Sequence, residues 1–340
     1  INPALALAEE LRDRGHHVVF VGQSRKLEGR LVPEAGFDFV PITVTGFDRS
    51  RPWTALTSLW RVNKAKRALA SHFSKVGKPD AAIGFGAYVE VPLLGWCKGA
   101  GVPYLLHEQN SVPGLANKMM NSHAARVCIS VPAARSVFER EGDPDHVLMT
   151  GNPVRRSVIE GDRARGRKAL GVPEDATLLL VFGGSLGAQH LNERVVSLKN
   201  ELLSRKNLYV LHSTGADGFE ETERALALTP EEAKRYRVQP YIDNMGDMLA
   251  ADLVLSRSGA SSVAEIAALA VPSVLVPYPH ATADHQTTNA RYLVDAGAGV
   301  LCADADIDGS AFADELLHLV DDAAARDAMR QAAPLFWRMR

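Results

Sequence analysis

The sequence predicts an α/β protein of two doubly wound, Rossmann-like parallel-sheet domains in tandem, and three observations predict it. Apolar runs of strand length alternate with helical stretches along the 340 residues, the pattern of parallel sheets covered on both faces. A fresh strand–helix pattern restarts near Thr177, after a charged stretch at 160–168. Glycine- and serine-rich turns lead out of strands into helices, where open α/β sheets bind their ligands.

Asn2 and Pro3 read as an N-cap and a first helical residue. Leu5, Leu7, Ala8 and Leu11 supply an apolar face, and Gly15 is a stop. The next segment, 17–22, is a short buried strand. Helix-then-strand is the second half of a βαβ unit, so a first strand and its loop are expected before Ile1. Further strands are expected at 81–84, 102–106, 126–130, 177–182, 209–212, 253–256 and 273–277. The boundary is expected at 152–156 and the charged stretch that follows, giving domains 1–157 and 158–340.

Composition narrows the function. With 46% hydrophobic and 23% charged residues the chain is globular, and a net charge of −2 argues against a nucleic-acid partner. The charge is uneven, +6 over 1–158 and −8 over 159–340, which suggests that one face meets something anionic. Cys97, Cys128 and Cys302 form no CxxC pair, which argues against a disulfide scaffold or thiolate zinc site and fits a reducing compartment. No apolar run reaches the ~18 residues of a membrane span and no signal peptide opens the chain, so a cytoplasmic protein is expected.

Six segments carry candidate chemistry. The turn at 183–188 (Gly-Gly-Ser-Leu-Gly-Ala) can cradle an anion with backbone N–H groups and a helix N-terminus, or can merely relieve strain. In the turn at 256–265, Ser262 and Glu265 have capping-box spacing; alternatively Glu265 accepts hydrogen bonds from ribose hydroxyls. The stretch 280–289 is dense in side chains that bind sugar hydroxyls and matches no standard metal-ligand spacing. His107, Glu108, Gln109 and Asn110 follow a strand, as does the Gly84–Tyr88 segment. Finally Trp53, Leu56, Leu59 and Trp60 recur near helical spacing among Arg49, Arg51, Arg61, Lys64, Lys66 and Arg67. Such a helix either docks on an anionic bilayer or turns its apolar side to a core.

Taken in order, these segments resemble the MurG family (glycosyltransferase family 28), N-acetylglucosaminyltransferases that convert lipid I to lipid II. The resemblance rests on 84–89, 107–110, Gly151 to Arg155, 183–188, 257–260, Glu265 and 284–289, and covers nearly the whole chain. It implies a GT-B fold and transfer of GlcNAc from UDP-GlcNAc to the C4 hydroxyl of lipid-linked N-acetylmuramoyl pentapeptide, with inversion and with no cofactor or metal.

On the donor side the resemblance implies that Ser185 contacts the diphosphate, Ile242 the uracil through its backbone, Glu265 the ribose and Gln286 the GlcNAc. The helix start formed by Ala260, Ser261, Ser262, Val263 and Ala264 would face the phosphates, with Arg155 and Asn110 also touching the donor. Tyr88, His107, Glu108 and Asn117 fall on the acceptor side, Asn192 and Arg257 in support. His107 and Glu108 are candidate bases, beside a leading candidate histidine in a glycine-rich loop before Ile1. Trp53, Leu56, Trp60, Lys64 and Arg67 would meet the cytoplasmic face of the plasma membrane, with other cell-wall synthesis and division proteins as partners. Leu186 stands where the family commonly has Gln, and Ala87 and Glu90 replace a usual Gly and Ser.

Overall fold

The computed structural model describes the chain except residues 45–53, 185–186, 243–245 and 334–340, and the side chains of 54–56 and 247. Trp53, Leu56, Ser185 and Leu186 therefore lie outside the described residues. The chain divides into two compact units, Ile1–Arg155 and Arg156–Arg340.

Unit 1 runs α1 (Asn2–Asp13), β1 (Val19–Gly22), α2 (Leu27–Glu34), β2 (Asp38–Pro41), α3 (Thr54–Val76), β3 (Ala82–Gly84), α4 (Glu90–Ala100), β4 (Tyr104–Glu108), α5 (Leu115–Met120), β5 (Arg126–Ile129), α6 (Arg135–Phe138) and β6 (Val147–Met149). Every strand pair is parallel: β1 with β2, and β3-β4-β5-β6 in sequence order. Asn2 is the first residue of α1 rather than its cap, which is Ile1; Pro3 still falls in the first turn, where its missing N–H costs nothing. Helix α3 turns Val62, Ala65, Leu69 and Phe73 into the core, a stripe at helical spacing.

Unit 2 runs α7 (Arg156–Ile159), α8 (Arg163–Leu170), β7 (Thr177–Phe182), α9 (Gln189–Ser197), α10 (Lys199–Ser204), β8 (Leu208–Ser213), α11 (Phe219–Leu226), β9 (Tyr236–Gln239), α12 (Gly246–Ala250), β10 (Leu253–Ser256), α13 (Ala260–Leu269), β11 (Ser273–Leu275), α14 (His285–Val294), β12 (Gly299–Leu301), α15 (Ser310–Asp321) and α16 (Ala323–Ala332). Its parallel sheet has the order β12-β11-β10-β7-β8-β9. Successive residues of β7 feed opposite cores: Leu178, Leu180 and Phe182 join α12, α13 and α14, whereas Leu179 and Val181 join α9 and α15. That alternation explains why β7 reads as a continuous apolar run. Strand order reverses between β7 and β10, so the turns leaving these strands flank the switch point where such sheets bind ligands.

Candidate active site

In unit 1 the strand-end residues form one buried polar network. His107 Nε2 donates to the Gly151 carbonyl at 3.0 Å, and His107 Nδ1 accepts from Gln109 Nε2 at 2.9 Å. These partners fix the neutral Nε2–H tautomer, and burial pushes the imidazole below its ordinary pKa. Glu108, also buried, accepts from the Asn110 amide at 3.0 Å and Asn110 Nδ2 at 3.4 Å through Oε1. Its Oε2 accepts from the Gly114 amide and Asn117 Nδ2, both at 2.9 Å. Glu108 thus pins the loop that carries Asn110 to the helix that carries Asn117. The Oδ1 atom of Asn117 is buried and unpartnered.

Beside this network the β3–α4 turn contains Ala87 at φ +63° and half-buried Tyr88. The left-handed backbone at Ala87 is one that glycine adopts at least cost, the residue usual there in the resembling family. Glu90 closes the turn, accepting from the Gly86 amide through Oε2 at 2.6 Å, while its Oε1 is buried without a partner. Desolvation pushes the Glu90 carboxyl up to about 8. Arg155 reaches back to Glu9 on α1, with contacts of 2.7 and 3.2 Å.

In unit 2 the turn after β7 is glycine-dependent. A Cβ on Gly187 (φ +78°) would lie 2.3 Å from the Thr214 carbonyl, and one on Gly183 2.5 Å from the Ala188 amide. Asn192 on α9 donates to the Thr214 carbonyl at 2.9 Å and accepts from His212 Nε2 at 3.1 Å; His212 Nδ1 accepts from Tyr236 Oη at 3.0 Å. Burial drives His212 down to about 3, so the chain stays neutral. Asn192 thereby supports the turn rather than facing it.

After β10, Arg257 donates to the Val276 and Pro277 carbonyls at 3.3 and 3.0 Å and pairs with Asp304 at 2.5 Å. Its Nε, and the Oγ of neighbouring Ser258, are buried without partners. Helix α13 follows with Gly259 as N-cap, a residue with no side chain of its own to cap it. Ser262 is therefore the third helical residue and Glu265 the sixth, and the capping-box arrangement is not formed. Glu265 is 5% exposed. Of the other helix-start residues, Ala260, Ser261 and Ser262 are half-buried, while Val263 and Ala264 point into the core. Ile242 is likewise a core side chain, leaving its backbone for any ligand.

Gln286, on the first turn of α14, accepts from the Tyr278 amide at 3.0 Å. Just before it Ala283 and Asp284 both have φ near +52°, a strained pair of the kind that concentrates at functional sites. Among the described residues no group of three His, Cys, Asp or Glu side chains is placed to hold a metal ion.

Two Rossmann-like units, the second with a glycine-dependent turn and a glycine-led helix start at its switch point, are the parts of the GT-B fold of nucleotide-sugar enzymes. Residues 1–129 match the glycosyltransferase family 28 N-terminal domain and residues 178–336 the glycosyltransferase family 28 C-terminal domain. The chain belongs to glycosyltransferase family 28. It is similar to the UDP-N-acetylglucosamine–N-acetylmuramyl-(pentapeptide) pyrophosphoryl-undecaprenol N-acetylglucosamine transferase of Halothermothrix orenii, 35% identical over 98% of this chain and 90% of that one. The same-named transferase of Desulforudis audaxviator is 36% identical over 98% and 90%. Among solved structures, Acinetobacter baumannii MurG superposes with a TM-score of 0.69 at 28% identity, covering 99% of this chain and 90% of its own.

Proposed function

We propose that this chain transfers GlcNAc from UDP-GlcNAc to the C4 hydroxyl of undecaprenyl-pyrophosphoryl-N-acetylmuramoyl pentapeptide, converting lipid I to lipid II. The observation that carries the donor half is the start of α13. A helix N-terminus turns its positive dipole end toward a diphosphate, and Ser258 Oγ and Arg257 Nε, both buried without partners, lie directly before it. Displacement of UDP releases negative charge that such fixed dipoles stabilise without reorganising. Glu265 takes the ribose hydroxyls, the Ile242 backbone the uracil, and Gln286 the GlcNAc, with Arg155 and Asn110 as further donor contacts. Unit 1 supplies the acceptor side: His107, Glu108 and Asn117 form one rigid network, and Tyr88 rides on the turn beside it.

The test is product formation from labelled UDP-GlcNAc and a short-chain lipid I analogue. Glu265→Gln is expected to raise the KM for UDP-GlcNAc by about tenfold or more with kcat little changed, because a ribose contact binds ground and transition states alike. An unchanged donor KM would remove Glu265 from the site.

The membrane reading has its own support. Leu59 and Trp60 of α3 are 58% and 63% exposed, and Leu115 and Met119 of α5 are 55% and 49% exposed. Val62 of α3 and Ala116 of α5 join Val91 of α4 in one small buried cluster, and the four exposed residues flank Val62 and Ala116 in sequence. Lys64 lies 5.3 Å over the Trp60 ring, and Arg67 and Lys118 are exposed nearby on the same helices. Trp60 is thus off the core-facing stripe of α3, and an apolar patch with a basic rim suits an anionic bilayer. Trp60→Ser combined with Lys64→Glu is expected to cut binding to anionic vesicles by about tenfold or more, with wild-type binding weakening as salt rises. Co-sedimentation measures both, and undiminished binding by the double variant would place the docking surface elsewhere.

A further inference from the structure

Three connections of unit 2 meet through one cluster of charged side chains. His190, the second residue of α9, is held at both ring nitrogens: Asp304 Oδ2 lies 2.9 Å from Nδ1 and Asp308 Oδ2 3.1 Å from Nε2. The other oxygen of Asp304 lies 2.5 Å from Arg257 Nη1. One relay therefore ties the turn leaving β7 to the turn leaving β10 and to the β12–α15 connection. All three lie at the carboxyl end of the sheet, where the diphosphate is read to bind.

The chemistry of the relay fixes its charge. An ionised carboxylate only accepts, so satisfying both contacts requires a proton on each ring nitrogen. With His190 cationic, Arg257 and His190 balance Asp304 and Asp308. With His190 neutral, one nitrogen presents a lone pair to a carboxylate and the cluster carries a net −1 next to the first turn of α9. That helix has Ala188 as N-cap and no capping side chain, so added negative charge there opposes anion binding.

We propose that His190 and Asp304 are positioning residues for the donor: through Arg257 they fix the first turn of α9 against the start of the β10–α13 turn and cancel acidic charge that would repel the diphosphate. The inference rests on reading unit 2 as the UDP-GlcNAc-binding unit. Bonds to Asp304 and then Asp308 raise His190 above its ordinary value. Burial alone would raise Asp304, but the bonds from His190 and Arg257 outweigh it and hold it low. The other ionisable groups around the relay are Glu193 and Arg194 on α9 and Asp306 and Cys302 beside Asp304. Since the cationic form of His190 is the one the relay needs, positioning is complete at low pH and is lost as pH rises through its raised value.

The experiment is calorimetric titration of the full chain with UDP-GlcNAc, whose diphosphate diester keeps a fixed charge, from pH 6 to 9 without acceptor. Wild-type affinity is expected to fall about tenfold across that range. His190→Gln should bind about tenfold more weakly already at pH 6 and show no further fall. His190→Lys, which keeps a cation between the carboxylates, should bind like wild type at pH 6 and hold that affinity at pH 9. Should His190→Gln fail to fold, Asp308→Asn leaves Arg257 and Asp304 balanced when His190 is neutral, and is expected to flatten the pH dependence, binding at pH 9 as tightly as at pH 6. Wild-type-like binding by His190→Gln at every pH, or by Asp308→Asn where that variant stands in, would overturn the inference alone. Absence of UDP-GlcNAc binding by wild type would overturn the donor reading and this inference with it.

Discussion

Glu90→Gln is expected to stabilise unit 1 by about 3 kcal/mol at pH 7, with the gain vanishing near pH 4.5. Glu90 is 6% exposed, and desolvation lifts its carboxyl from 4.5 to about 8, with a minor contribution from Glu108 and opposition from the Gly86 amide. An acid whose folded value is raised binds more protons folded than unfolded between those two values. Stability contributed by its neutral form is therefore full below about 4.5 and is lost as pH climbs, levelling off above about 8. Glutamine keeps the shape and the acceptor for Gly86 and has no charge to suppress. Chemical denaturation at pH 5 and pH 8 checks this: the midpoint gain should be large at pH 8 and small at pH 5, with unchanged m-value. An equal gain at both would trace the effect to helix propensity and refute the buried-titration account.

The alternation of strand and helix was legible because both sheets are parallel and covered, so their strands read as unbroken apolar runs. The four strands that sequence reasoning does not name, β2, β6, β9 and β12, each lie at a sheet edge and are partly exposed. Covered on fewer sides than the central strands, they are decided by pairing with a neighbour more than by an apolar run of their own. The capping-box reading of Ser262 and Glu265 fails for a comparable reason. Spacing alone cannot tell which residue starts a helix, and Gly259, which lets the chain turn without a side chain, takes that place.

The side-chain networks show the sharper limit. His190 meets Asp304 across 114 residues, and no local pattern announces that pair, although the alternating Asp304, Asp306 and Asp308 beside a strand end is the one signal that could have drawn notice. Glu90 was noticed only as a departure from a family pattern; its burial comes from α4 packing back onto β3, where a Cβ on Gly84 would already meet its carboxylate at 2.6 Å. Leu115 and Met119 were missed because α5 is six residues long, too short for an apolar face to register. Their exposure depends on Ala116 and Asn117, between them, being the residues turned inward.

Glu108→Gln separates two roles that sequence reasoning left joined. As a general base, Glu108 would need an oxygen able to take a proton from the acceptor hydroxyl. In the structure each oxygen already accepts two donors, from Asn110, Gly114 and Asn117, so the carboxylate acts as the knot of the acceptor-side loop. An amide NH2 in place of either oxygen would face an N–H group across a distance meant for a hydrogen bond. The variant is therefore expected to lose about 2–4 kcal/mol of stability, the range for unbalancing a buried charged network. Misplacement of Asn110 and Asn117 should cost transfer about a hundredfold, mostly in acceptor KM and kcat together, since small displacements of positioning groups carry large rate penalties. The residual activity should keep the wild-type pH profile. Urea midpoints and pH–rate profiles on the same preparations decide the matter. A variant as stable as wild type that has lost both turnover and the acid limb of its profile would make Glu108 the base, and the knot reading would fall.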